Sequence, residues 1–318
     1  MCDKVGSERL IVRRILRVMF IAVIFWASLG GQTVYATLQL YWTDRESHGI
    51  FRANLDGSGV TKLVDGLGSP ICIAIDQVAS QLYWTDAGPN IIQRSNLDGS
   101  VIETIVDTGN HWPLGLAIDV SAQRIYWSEH LDGGYSWIKV VNIDGSNIRQ
   151  LFETKGGNAI DIALDVPSEQ MYFTFSWVGP NQIKRMGFDG SEIATAVITG
   201  KNPWGVVMDA SVGKLYWVEY YTGRVSRANL DGSELEVLVD GLSRPHGIAI
   251  DIDNSKVYWT ETTTGKIQRA NLDGTEIEDI VTNLADPWGI TIGPIPEPAT
   301  VLLLGFGGMV VGRRRRSQ

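Results

Sequence analysis

Between residues 38 and 293 the chain reads as short stretches of alternating apolar and polar residues broken by turns, with no sustained helical period. Alternation puts successive side chains on opposite faces of an extended strand. One such stretch recurs. Tyr41-Trp42-Thr43-Asp44 returns as Tyr83-Trp84-Thr85-Asp86, Tyr126-Trp127-Ser128-Glu129, Tyr172-Phe173-Thr174-Phe175, Tyr216-Trp217-Val218-Glu219 and Tyr258-Trp259-Thr260-Glu261, at steps of 42, 43, 46, 44 and 42 residues. Each unit also holds an Asp-Gly pair, from Asp56-Gly57 to Asp273-Gly274. Asp-Gly after an alternating stretch marks a hairpin, because glycine accepts the positive φ of the turn. A third recurrent piece, such as Pro113-Leu114-Gly115-Leu116-Ala117-Ile118-Asp119 or Pro245-His246-Gly247-Ile248-Ala249-Ile250-Asp251, is apolar enough to be buried on both faces.

These marks divide each unit into four strands. In the second unit they predict strands near 71–76, 81–85, 91–96 and 101–106. Four strands per period of this length make a propeller blade, and six units make an all-β, six-bladed β-propeller of four-stranded antiparallel blades. The chain enters on a second strand at Leu38 and leaves on a first strand at 288–292. One blade is therefore expected to close from both ends, 38–64 pairing with the innermost strand 288–292, which leaves the ring without an open edge.

The repeated Tyr-Trp-Thr-Asp and Pro-x-Gly-Ile-Ala-x-Asp pieces resemble the class B (YWTD) repeats of the low-density lipoprotein receptor family, over residues 38–293. The resemblance implies a non-catalytic propeller that binds a protein ligand across one face. The chain departs from it in having no flanking cysteine-rich modules. It departs again in blade four, where Phe173 and Phe175 replace Trp and an acid and Asp161 replaces Gly, so that blade is expected to be the least regular.

The two ends differ from the repeats. Lys4, Arg9, Arg13, Arg14 and Arg17 precede an apolar run from Met19 to Leu29 and small residues near Ala36, the layout of a signal peptide over 1–36. Signal peptidase is expected to leave Thr37 as the first residue of a propeller domain spanning 37–293. At the other end Pro296-Glu297-Pro298 is followed by an uncharged run, 299–312, and by Arg313, Arg314, Arg315 and Arg316. The run reaches about 21 Å as a helix, short for a bilayer core of about 30 Å. The order of these parts over 294–318 resembles the PEP-CTERM sorting signals of Gram-negative bacteria. That implies an exosortase as processing partner, transient anchoring of a transmembrane helix in the inner membrane, and delivery to the cell surface or matrix.

Composition then narrows the partner. Between residues 37 and 312 the chain keeps 18 basic and 34 acidic residues, a surface that repels phosphate backbones and makes nucleic acid an unsuitable ligand. By overall charge a cation, a basic peptide or a neutral glycan fits better. Of the two cysteines only Cys72 remains after the signal, inside an apolar run, so no internal disulfide is available and a buried thiol is expected.

Candidate chemistry lies in the loops. Trp42, Trp84, Trp127, Trp217 and Trp259 recur once per blade and are expected between blades. The acids that end the motif are expected to satisfy backbone donors, and the Asp-Gly carboxylates stand too far apart to share a calcium ion. The other tryptophans after the signal, Trp112, Trp137, Trp177, Trp204 and Trp288, all fall in or beside connections on one face, as do His48, His111, His130 and His246. Aromatic loop residues gathered on one face mark a recognition surface. The expected ligand site is His111, Trp112, Trp137, Trp177, Asn202, Trp204, Arg244, His246 and Trp288, for a protein, peptide or glycan, with no cofactor. Two alternatives remain open: a calcium-dependent lactonase or esterase using Asn158, Asp161, Asn202 and Glu129, and a structural spacer of the matrix.

Overall fold

The computed structural model describes residues 37–177 and 181–296. These form six four-stranded antiparallel sheets. The innermost strands are Pro70–Asp76, Trp112–Asp119, Gly157–Asp165, Pro203–Asp209, Pro245–Asp251 and Pro287–Pro294, and they line a central channel. Among the described residues there is no helix, and none long and apolar enough to cross a membrane. The signal segment, Glu297, Pro298 and the terminal arginines lie outside the described residues.

Blade one closes as the hydrophobic pattern requires, in the order Pro287–Pro294, Leu38–Asp44, Gly49–Asn54, Thr61–Asp65 from the axis outwards. Tyr41 pairs with Thr291 and Trp42 with Ile290. The innermost strand outruns the expected 288–292 because the Tyr41 hydroxyl donates to the Pro294 carbonyl at 2.8 Å. In blade two the fourth strand starts at Glu103 rather than 101. There the turn runs on through Val101, held at φ 56°.

Adjacent positions on the second strand explain the Tyr-Trp pair. Neighbouring residues on a strand face opposite ways, and the six hydrophobic clusters sit one between each pair of blades. Tyr83 of blade two faces blade three, among Ile125 and Val141, while Trp84 faces blade one, among Ile50 and Val64. Both are 0% exposed. In blade four Phe173 takes the Trp place and the gap is filled by Phe152, 5.4 Å away between ring centroids, with Phe188 against Tyr126 at 5.0 Å. Blade four keeps the strand order of the others despite its irregular sequence.

The Asp-Gly turns are self-contained. Asp98 accepts hydrogen bonds from the Ser100 amide at 2.9 Å and hydroxyl at 2.6 Å, and Asp56, Asp144, Asp231 and Asp273 repeat the arrangement. These bonds hold the carboxyls below their ordinary range.

Candidate functional site

Each innermost strand starts with a bulge, seen as a register shift between Pro70 and Ile73, Pro113 and Leu116, Ala159 and Ile162, Pro203 and Val206, Pro245 and Ile248, and Pro287 and Ile290. A bulge re-aims the residues inside it. Two equivalent positions per blade result. The upper one carries Ile71, Leu114, Ile160, Trp204, His246 and Trp288, which line a cavity of about 840 Å³ at the channel mouth. The lower one carries Cys72, Gly115, Asp161, Gly205, Gly247 and Gly289, which line the throat.

Glycine is required below because the strands approach closely. A Cβ on Gly205 would stand 2.5 Å from the His246 carbonyl, and one on Gly247 2.3 Å from that of Trp288. A hydroxyl links neighbouring blades at this level. Thr85 accepts from the Cys72 amide at 3.0 Å and donates to the Leu114 carbonyl at 2.7 Å. Thr43, Ser128, Thr174 and Thr260 do the same. In blade five the residue is Val218, so the belt breaks where it would reach His246.

The mouth has two unlike halves. Blades five, six and one bring an aromatic group: His246 lies 3.9 Å from Trp288 and 4.5 Å from Trp204 between centroids, with Tyr220 4.9 Å from His246. Blades two to four bring Ile71, Leu114 and Ile160, overhung by Trp112, which meets His130 edge-on at 4.9 Å. His246 is only 3% exposed and its Nδ1 has no hydrogen-bond partner. Burial, reinforced by the charges of Arg45 and Arg244, holds its pKa well below the imidazole value, so the ring is neutral. In the throat the Asp161 carboxylate accepts from the Val206 amide at 2.9 Å, and its Oδ1 lies 3.8 Å from Cys72 Sγ. Burial pushes Asp161 up to about 6 and the Cys72 thiol well above its ordinary value.

Of the residues expected from sequence, Trp112, Asn202, Trp204, His246 and Trp288 line the cavity together. Arg244 stands at its rim, over Tyr220. His111 and Trp137 do not join them. They stack on each other at 4.5 Å, and His111 Nδ1 meets Glu129 at 2.7 Å. That carboxylate, 0% exposed, is further engaged by Lys139 and by the Trp127 indole. The pair serves a buried charge cluster in blade three. Trp177 ends a strand, and its side chain lies outside the described residues. Arg45, Tyr220, His130 and Asn158 also line the cavity without having been in the expected set. Arg45 follows the first motif acid and could have been read as a mouth residue from that place alone.

The calcium set does not assemble. Asn158 and Asn202 reach the cavity and Asp161 only the throat beneath it, while Glu129 is held in the blade-three cluster. Among the described residues no three His, Cys, Asp or Glu side chains converge to hold a metal ion. The motif acids bind backbone instead: Asp86 accepts from the amides of Gly68 at 2.8 Å and Ser69 at 2.6 Å.

The sequence profile of the virginiamycin B lyase family matches residues 29–299. The chain belongs to the virginiamycin B lyase family. Among solved structures, a nidogen–laminin complex contains a chain 24% identical, TM-score 0.71, covering 80% of this chain and 98% of that one. A catalytically inactive His-to-Ala variant of virginiamycin B lyase from Staphylococcus aureus, with quinupristin, is 21% identical, TM-score 0.57, covering 82% and 86%. A gluconolactonase from Xanthomonas campestris is 18% identical, TM-score 0.60, covering 70% and 79%. These likenesses carry the fold. Comparison with curated proteins gives no match. Membership of the virginiamycin B lyase family, with enzymes among its structural neighbours, corrects the expectation of a non-catalytic module and points toward an enzymatic function. The PEP-CTERM protein-sorting motif matches residues 294–316, so this family member is an exported, surface- or membrane-associated propeller of a Gram-negative-type bacterium, processed by an exosortase.

Proposed function

We propose that the protein captures an amphipathic, peptide-like ligand in the axial cavity after export, cleavage of the signal before Thr37 and loss of the C-terminal segment. One observation carries this reading. Trp204, His246 and Trp288 occupy equivalent positions of three consecutive blades and converge on one cavity of about 840 Å³, a volume suited to a small organic molecule or a few peptide residues. Asn158 and His246 line it, and Asn158 Oδ1 and His246 Nδ1 are buried polar atoms without a partner in the protein, so polar capacity lies beside the apolar wall. The repeat resemblance and the nidogen propeller, a chain solved in complex with laminin, agree with peptide capture. An array of peptides and glycans probed with the exported protein tests it: loss of binding in both Trp204→Ala and Trp288→Ala is expected, and unchanged binding in both removes the site.

A second reading follows from His246. His246 is a neutral imidazole at the cavity wall, the residue type and place a general base would take once a substrate's charge offsets Arg45 and Arg244, and a His-to-Ala variant of the Staphylococcus aureus lyase is catalytically inactive. Capture is then the first step of an elimination that opens a cyclic ester: the His246 imidazole takes a proton from the carbon next to the one bearing the ester oxygen, the C–H electron pair forms a C=C bond, and the C–O bond breaks with the oxygen leaving as part of a carboxylate. Chromatography of quinupristin and a panel of lactones after incubation checks this. Product formation lost in His246→Ala supports it, and the same rate in wild type and variant refutes it.

A further inference from the structure

The cavity wall has the opposite charge to the protein around it. Acids outnumber bases 34 to 18 between residues 37 and 312, yet none of the described residues lining the cavity is acidic, Asp161 lying in the throat beneath it, and its charged side chains are Arg45 and Lys201. The reason is local. The motif acids Asp44, Asp86, Glu219 and Glu261 sit on the blades that form the mouth, but each turns to the backbone amides of a neighbouring loop. Their charge is used in holding the loops. The basic groups are not used in that way.

Arg45 lies with its guanidinium carbon 4.6 Å from the Trp288 ring centroid, and Arg244 5.5 Å from that of Tyr220. Among the described residues neither has a carboxylate within ion-pair distance. The Arg45 charge also acts on Asp286, a half-buried carboxyl that burial raises above its ordinary range and that interacts with Trp288, so Arg45 has an acid near it but none within ion-pair distance. Guanidinium groups resting on rings are pre-oriented and weakly hydrated, ready for bidentate contact with a carboxylate. Arg244 is held there at a cost, for its φ is 54°, a left-handed backbone that a non-glycine residue seldom adopts. Both charges act on His246, whose Nδ1 is unpartnered and whose ring is 3% exposed.

We infer that the aromatic half of the cavity is an anion subsite and that its ligand is an acidic peptide segment, with a carboxylate held between Arg45 and Arg244 beside His246 and apolar neighbours on Trp204, Trp288 and the Ile71–Leu114–Ile160 wall. This rests on the capture reading above and adds the sign of the charge to it. A peptide fits better than an acidic polysaccharide because the Ile71–Leu114–Ile160 wall beside the aromatic group is apolar and suits the apolar side chains of a peptide, whereas a sugar there would leave its hydroxyls without partners.

The test is an array of nine-residue peptides in matched triplets, central residue Asp, Asn or Lys among varied apolar neighbours, with amidated and free C-termini, probed with the exported protein. Uronic-acid oligosaccharides share the array. Asp members are expected to bind at least about tenfold more tightly than their Asn and Lys partners. That preference should disappear in Arg45→Gln and Arg244→Gln, variants whose folding is checked by melting temperature, and persist in Lys62→Gln, on the outer part of blade one. If free C-termini replace the need for Asp, the terminal carboxylate is the group recognised. Preference for Lys, equal binding across triplets, binding of uronic acids alone, or no binding of any Asp peptide overturns the inference. Equal binding that still falls in Trp204→Ala and Trp288→Ala overturns the charge and leaves the cavity. Binding indifferent to the Trp variants overturns both.

Discussion

The two halves of the channel mouth are built from the same repeat and do opposite things. Blades five, six and one place Trp204, His246 and Trp288 at the upper position and glycine at each lower one. Blades two, three and four place Ile71, Leu114 and Ile160 above, with Cys72, Gly115 and Asp161 below. Where the upper side chain is large and aromatic the throat carries no side chain. Where it is aliphatic, two polar groups appear beneath it. A six-fold scaffold thus becomes a polar-headed, one-sided site by substitution at two positions per blade, without any change of backbone plan.

Truncation separates the halves most strongly. Trp288→Ala and Trp204→Ala are each expected to cost about 2–4 kcal/mol of ligand affinity, as centrally placed aromatic anchors do. Leu114→Ala on the other half should cost under about 1 kcal/mol, measured calorimetrically with an array-selected peptide. Comparable losses on both halves would abolish the distinction.

Acidity is the next lever, because the halves carry opposed titrations. Asp161 has its folded pKa raised to about 6. Its proton therefore supports the fold fully below the unfolded value near 3.8, and that support is lost as pH rises through about 6, by about 2 kcal/mol for a partly sheltered group. His246 is depressed, so its contribution is whole above 6.5 and is lost as pH falls. Urea melts across pH 4 to 8 should show the first slope vanish in Asp161→Asn and the second vanish in His246→Phe.

Smaller effects test the belt and the strained arginine. Val218→Thr supplies the missing hydroxyl between blades five and six and should add about 1 kcal/mol of stability, whereas Thr85→Val on the aliphatic half should remove at least as much. Arg244→Gly relieves the left-handed backbone, for a gain of about 0.5 kcal/mol after the entropy of glycine is set against it. The same change should weaken binding of Asp-centred peptides, so the two readouts move in opposite directions.

Most of the scaffold was legible in the sequence. The 42 to 46 residue steps, the Asp-Gly hairpins and the Tyr-Trp alternation each reflect one local constraint repeated in phase, and blade closure followed from where the first and last strands fall. The site was legible only as a face. Trp137 and Trp204 both stand in first-face positions, but Trp137 begins a third strand and lies farther from the axis, where His111 and Glu129 claim it. Radius is set by strand order within the blade and by the bulge, which turns one residue per innermost strand into the mouth. Net charge does not report the charge of the mouth, because the acids nearest it are taken up by backbone amides. A single histidine at one of six equivalent positions resembles a packing choice in the sequence; only the structure shows His246 sheltered at the cavity wall between Trp204 and Trp288.

Fluorine NMR of protein carrying 5-fluorotryptophan tests the central claim most directly, since one spectrum holds both site and scaffold. On titration with an Asp-centred peptide, the Trp112, Trp204 and Trp288 resonances are predicted to shift while those of Trp42, Trp84, Trp127, Trp217 and Trp259, buried between blades, stay in place. Shifts confined to Trp137, or a bound peptide that moves none of the three mouth resonances, would contradict the placement of the site on the aromatic half of the channel.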